Sequence, residues 1–212
     1  MHWKEQIKKL VQPAEGRVSP AFKPHHVAVA IVMIGRRQPL GRYELCDTMS
    51  IGEGSARTLL RRLGERDYIT AEGRQGQKLT HTGQEIFEAM INDIPRGLYL
   101  DVEGLAMYEI SYGNLVKQKA EEVTDGIRQR DEAIIQGGYG EAGATTLVCK
   151  EGLLLMPPNN FNPLLKYEDE TLLIMDSLRP KDGDVVVIGS ANNSGLAREI
   201  AMASSMTLLG EE

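Results

Sequence analysis

Ile51-Gly52-Glu53-Gly54-Ser55-Ala56-Arg57-Thr58-Leu59-Leu60-Arg61-Arg62-Leu63-Gly64-Glu65-Arg66-Asp67-Tyr68-Ile69-Thr70 is the stretch that decides the fold. Read as a helix, it places Ala56, Leu59, Leu60 and Leu63 at i, i+3, i+4 and i+7, on one apolar stripe. Ser55, Arg57, Thr58, Arg61 and Arg62 fall outside that stripe. An aliphatic back with a front of hydroxyls and guanidinium groups suits an element that enters a DNA major groove while its rear packs on a core. It also suits a plain amphipathic surface helix with solvated arginines, so the neighbouring segments decide between the two.

Upstream, residues 39–49 read as a short helix opened by Gly41, with Leu45 and Cys46 facing inward, and residues 50–53 as the turn into the opening stretch. Two short helices around a tight Gly-containing turn, the second basic outside, make a helix-turn-helix pattern. Residues 24–35 are a further helix, the first of the three in chain order, nearly all apolar, with Pro24 at its first position and Gly35-Arg36-Arg37 at its end. His25 and His26 are expected to be exposed first-turn residues. Downstream, residues 68–72 and 78–80 read as strands around a hairpin tip at 73–77, and residues 82–91 as a helix with Ile86, Phe87, Met90 and Ile91 on one face. Helix, helix, helix, hairpin, helix is the order of a winged helix-turn-helix. Ahead of it, Trp3, Ile7, Leu10 and Val11 recur at helical spacing, and their stripe must be covered either by its own chain or by a second subunit, of which the second is the expectation.

Three runs carry a more specific resemblance: Gly41-Arg42-Tyr43-Glu44-Leu45, Ile51 through Leu60 as quoted, and Leu79-Thr80-His81-Thr82-Gly83. Together they resemble the winged-helix domain of archaeal transcriptional regulators, and the last is similar to the L-T-x-x-G motif that closes the wing in regulators of the MarR and PadR kind. The layout resembles an archaeal family with this domain in front of an uncharacterised C-terminal domain. One departure is Asp67, where many such domains carry Gly after the third helix, and Asp tolerates the left-handed backbone needed there. The resemblance implies that the third helix reads DNA and that the wing touches the backbone. By position, Ser55, Arg57, Thr58, Arg61 and Arg62 would be groove or phosphate contacts, Arg74 and Gln75 wing contacts, and Arg42 a phosphate clamp. Arg pairs bidentately with guanine, and Ser or Thr bonds phosphate oxygens.

Charge divides the chain in the same sense. Net charge is −6 over 212 residues, yet residues 1–95 hold 14 Lys+Arg against 11 Asp+Glu, and residues 96–212 hold 10 against 19. A basic half and an acidic half suggest different partners. With 42% hydrophobic residues the chain can bury a core. Its longest apolar run, residues 27–34, is too short to span a bilayer, and its charged first ten residues do not read as a signal peptide, so a cytoplasmic protein is expected. Cys46 and Cys149 form no metal-binding pair and read as buried apolar residues.

The acidic half is expected to begin after the Pro95-Gly97 interruption. Strands are read at 104–112, 145–150, 153–156 and 184–189, and helices at 120–136, 168–178 and 195–209. The strand at 184–188 runs into Gly189-Ser190-Ala191-Asn192-Asn193-Ser194-Gly195 and then a helix, a turn whose backbone N–H groups suit an anionic ligand. Gly189, Ser190, Asn192, Asn193, Ser194 and Gly195 are therefore candidate ligand contacts, although the turn fits neither the P-loop nor the dinucleotide fingerprint and also suits a structural cap. The loop at 157–163 is read as a rigid connector or a pocket wall. All four histidines precede residue 95, which leaves this half without a neutral-pH acid or base, so no enzyme, cofactor or metal is expected.

The sequence thus points to an α+β chain: an N-terminal helix and arm at 1–21, a winged helix-turn-helix domain at 22–95, and an α/β layered domain at 96–212. The expected function is a DNA-binding transcriptional regulator, a homodimer on double-stranded DNA, with the second domain for dimerisation or a small anionic effector. Two alternatives stand beside it: a winged-helix interaction module without DNA, and an enzyme acting on a phosphorylated ligand at the 189–195 turn.

Overall fold

The computed structural model describes residues 2–13 and 18–210. Among the described residues the chain is a mixed α+β protein with eight α-helices and two sheets. It divides into two compact units, one through Asn92 and one from Asp93 to Gly210.

The first unit opens with α1 (Trp3–Lys8), continued by a 3-10 turn (Lys9–Val11). Trp3, at 2% exposure, Ile7 and Leu10 are buried, and α1 packs on α2 (Pro24–Arg37) of its own chain. The apolar stripe expected to need a second subunit is thus already covered. His25 and His26, expected at the surface, are buried too, with rings 4.1 Å apart. His26 Nδ1 accepts the Lys23 N–H at 2.9 Å and so closes the start of α2. Burial first, then His26 and Lys23, hold the His25 imidazole well below its ordinary pKa.

Next come α3 (Arg42–Thr48), α4 (Glu53–Glu65), the hairpin of β1 (Ile69–Ala71) and β2 (Gln77–Leu79), and α5 (His81–Asp93). Ala56, Leu59 and Leu63 of α4 are buried as its periodicity requires, whereas Leu60 is only half-buried. Asp67 adopts φ +58°, the left-handed turn between α4 and β1. The hairpin pairs Ile69 with Leu79 and Ala71 with Gln77, and Leu40 adds an antiparallel bridge to Gln77. Gly76 permits this: a Cβ there would lie 2.4 Å from the Leu40 carbonyl oxygen. The Leu79-to-Gly83 run has an equally local cause. The Thr80 hydroxyl accepts the Gly83 N–H at 3.0 Å and donates to the Asp67 carbonyl, and a Cβ on Gly83 would stand 1.9 Å from the Tyr68 carbonyl oxygen.

The second unit is built on an antiparallel five-stranded sheet of order β3-β4-β7-β5-β6: β3 (Arg96–Leu100), β4 (Ile110–Val116), β5 (Ala142–Lys150), β6 (Leu153–Leu155) and β7 (Val185–Ala191). One face packs α6 (Ile127–Gly137) and α8 (Ser194–Met206) through Ala133, Ala142, Ala197, Ile200 and Ala201. The other packs α7 (Glu168–Leu178) through Ile174 and Leu178 against Leu147, Val186 and Ile188. Several boundaries differ from the sequence pattern. Residues 103–105 form a 3-10 turn and the strand comes later, because β4 is covered on both faces and has no polar alternation to read. β3 is an additional edge strand that starts directly after Pro95. The helix expected from 120 starts only at Ile127, since Gly126 takes φ +75°. No helix among the described residues is long and apolar enough to cross a membrane.

Candidate functional site

In the first unit, the N-terminus of α3, the outer face of α4 and the hairpin tip enclose a concavity of about 430 Å³. Arg42, Arg57 and Arg74 line it from those three elements, with Tyr43, Leu60 and Gln77. Each arrives for a local reason. Arg42 opens α3 after Gly41, Arg57 is one turn into α4 on the face opposite Leu59, and Arg74 follows Gly73, whose φ of +56° turns the tip. Leu60, expected in the core stripe, instead forms the apolar floor beside them.

Glu53 holds two of these cations in check. Its Oε1 lies 3.1 Å from Arg57 Nη2 and 3.5 Å from Arg42 Nη2. Arg42 also lies 4.8 Å over the ring of Tyr43 and donates to its hydroxyl at 3.0 Å. Tyr43 is 68% exposed, a flat aromatic beside a cation at the rim. Sequence reading passed over it, although an aromatic residue between Arg42 and Glu44 in a first helical turn was the available signal.

The other expected contacts lie elsewhere. Ser55 is half-buried in the first turn of α4, whose N-cap is Gly52 without a side-chain acceptor. Gln75 is exposed at the tip, its backbone N–H bonded to the Glu72 carbonyl at 3.1 Å. The Thr58 hydroxyl donates to the Gly54 carbonyl at 2.9 Å, and Arg61 pairs with Glu65 one turn on.

Arg62 requires a correction. Its Nη1 donates to the carbonyls of Leu10 and Gln12, the latter at 2.8 Å, and its guanidinium lies 5.9 Å from the Phe22 ring centroid. It therefore ties down the segment after α1 and is not presented outward as a DNA contact. Cationic side chains satisfy the orphan carbonyls at the end of a helical segment, which is the chemistry Arg62 performs here.

The expected ligand turn of the second unit is also used structurally. Gly189 and Ser190 belong to β7, and a Cβ on Gly189 would lie 2.3 Å from Ala201 N, so this glycine admits α8 to the sheet. Ser190 Oγ accepts the Met107 N–H at 3.3 Å, and Asn193 Oδ1 caps α8 by accepting the Leu196 N–H at 2.8 Å. Gly195 is buried within α8, the Ser194 carbonyl accepts the Tyr99 hydroxyl at 2.9 Å, and Asn192 is exposed. The turn is a packing and capping device.

Among the described residues no cluster of three or more His, Cys, Asp or Glu is placed to hold a metal ion. Both cysteines are free thiols whose pKa burial pushes up, the opposite of what a nucleophile needs.

Residues 27–85 match the family model described as "PH0730-like, N-terminal domain", and residues 107–208 match a domain of unknown function, DUF4443. The chain is similar to a solved structure, the hypothetical protein PH0730 from Pyrococcus horikoshii OT3. The two share 27% identity with a TM-score of 0.72, over 88% of this chain and 92% of that one. No curated protein matches the chain.

Proposed function

We propose that the first unit is a winged helix-turn-helix that binds double-stranded DNA, and that the protein is a transcriptional regulator acting as a cytoplasmic homodimer. In this reading α4 enters the major groove, the hairpin is the wing on the phosphate backbone, and the second unit serves dimerisation or ligand sensing. The convergence of Arg42, Arg57 and Arg74 on one concavity carries the proposal. Three cations on three elements, around a helix with a half-buried apolar floor, match the shape and charge of a backbone flanking a groove. The Leu40 bridge to β2 and the helix order support the winged form.

The test is selection of bound sequences from random duplexes at two salt concentrations, followed by Arg57→Ala and Arg74→Ala. A recovered palindrome with half-sites about 34 Å apart is the expected result. Arg57→Ala is expected to cost about 1–3 kcal/mol at the selected site. Arg74→Ala is expected to weaken all duplexes alike and flatten the salt slope by about 0.9. Absence of duplex binding at low salt refutes the proposal. One observation favours a second reading: Glu53 and Glu65 pair with Arg42, Arg57 and Arg61 and so reduce the positive field. A winged-helix module that binds protein instead of DNA would need no such field.

A further inference from the structure

A second, smaller concavity of about 190 Å³ lies wholly within the second unit, where the N-terminus of α6 meets the middle of β5. Its walls bring Asp125, Arg130 and Thr146 together with the apolar surfaces of Ile127, Ala144 and Pro157. We propose that it binds a small free α-amino acid with an apolar side chain. This inference is independent of whether the first unit binds DNA.

Thr146 is the first observation. It is 5% exposed, and its Oγ1 is fully buried without a hydrogen-bond partner. Buried hydroxyls are nearly always bonded, so an orphan in a cavity wall marks a place where a ligand atom completes the structure. The side chain is directed at the turn before α6: a Cβ on Gly126 would lie 3.5 Å from Thr146 Cβ and 3.7 Å from its Oγ1. Gly126 takes φ +75°, so the turn that faces Thr146 carries no side chain.

The strand supplies more. Cys149 gives its N–H to Asp184 and its carbonyl to Gly183, so the odd-numbered residues of β5 turn their backbone groups towards β7. The register with β7 is unbroken from Ala142 to Val148, which turns the N–H and carbonyl of Ala144 and Thr146 to the opposite edge. There β6 reaches only as far as Val148, and the concavity takes its place.

Charge then selects the ligand class. Asp125 and Arg130 line the same small space with opposite signs, yet they do not pair with each other. Asp125 Oδ1 accepts the Ile127 N–H at 2.9 Å, and Arg130 pairs with Asp131 at 3.0 Å. A ligand with an adjacent ammonium and carboxylate answers both. The ammonium meets Asp125, the carboxylate meets Arg130 and the positive end of the eleven-residue α6, and the Thr146 hydroxyl bonds either group. The volume equals about six waters at roughly 30 Å³ each, which admits a small amino acid and excludes a nucleotide.

The experiment is calorimetric titration of the full chain with alanine, valine, leucine and methionine. Propionate and propylamine serve as the carboxylate and ammonium alone. At least one amino acid is expected to bind, with each one-charge compound at least about tenfold weaker. Arg130→Gln, on an exposed side chain, is expected to weaken binding about tenfold without changing the melting temperature. Thr146→Val is expected to weaken binding while raising the melting temperature of the free protein, because it removes an unsatisfied hydroxyl and keeps the shape. Absence of binding by all four amino acids, propionate binding as tightly as they do, or unchanged binding in both variants overturns the proposal.

Discussion

Replacing Arg62 by Ala separates the DNA contact that the sequence assigns to this guanidinium from the structural tie that it makes in the fold. In the structure this group donates to the Leu10 and Gln12 carbonyls and lies over the ring of Phe22. Hydrogen bonds from a charged donor are worth about 1.5–3 kcal/mol each, and a cation–π contact near the 6 Å limit adds about 0.5 kcal/mol. Arg62 is half-buried, and water can reach the carbonyls once it is gone, so the expected net loss is about 2–4 kcal/mol. For a unit of this size, whose whole stability is roughly 5–14 kcal/mol, that is a large fraction. The chain has one tryptophan, Trp3, buried in α1 directly upstream of the tie, so its fluorescence reports on this unit. In urea the Trp3 transition of Arg62→Ala should move down by about 1–2 M, given a slope of about 2 kcal/mol/M. Arg62→Lys sharpens the test, because the ammonium keeps the charge but lacks the length and planarity that set Nη1 between the two carbonyls. A fully stable Arg62→Ala protein, or an Arg62→Lys protein matching wild type in urea while both lose DNA affinity, would refute the structural role.

Two further perturbations follow from the same unit. Glu53→Gln frees Arg42 and Arg57 from their shared exposed carboxylate, so duplex affinity should rise a few-fold and the salt slope should steepen, by up to about 0.9; an unchanged slope in filter binding would show that neither arginine meets phosphate. The buried, neutral His25 makes stability depend on pH. Its folded pKa is depressed, so the unfolded chain binds the extra proton; stability is full above about 6.5 and falls as pH drops towards the folded pKa, by at most about 1.4 kcal/mol per pH unit. Trp3-monitored urea midpoints between about pH 7.5 and 5 should show this fall, and His25→Leu should flatten it.

The first unit was legible where its causes are local. The stripe of Ala56, Leu59 and Leu63 is a matter of helical period, and the Thr80-to-Gly83 run encodes a cap plus a close approach to Tyr68. Arg62 was not legible. A helical period puts Arg61 and Arg62 alike outside the apolar stripe, and only the return of Leu10 and Gln12, some fifty residues away, distinguishes them. The histidines misled for a related reason: a helix start is ordinarily wet, but α1 packs on α2 and both rings are buried. In the second unit, β4 is covered on both faces and interrupted by Gly113 and Asn114, so it offered no alternation. Gly189 had the look of a ligand turn because a helix packed tightly on a strand and an anion cradled by a loop both call for a missing side chain. The α6 site escaped notice because its key feature is an unbonded oxygen, which no residue pattern encodes.

The placement of β7 governs how the second unit is made. β4 pairs only with β3 and β7, and β5 only with β6 and β7, so without residues 185–191 the sheet is two separate hairpins. During synthesis these hairpins leave the ribosome in turn with no shared partner, and Leu147 and Leu115 have no completed core to enter. The keystone strand arrives after both, and its helix α8 follows it. Folding of this unit is therefore dominated by long-range pairing, which makes it the slower of the two.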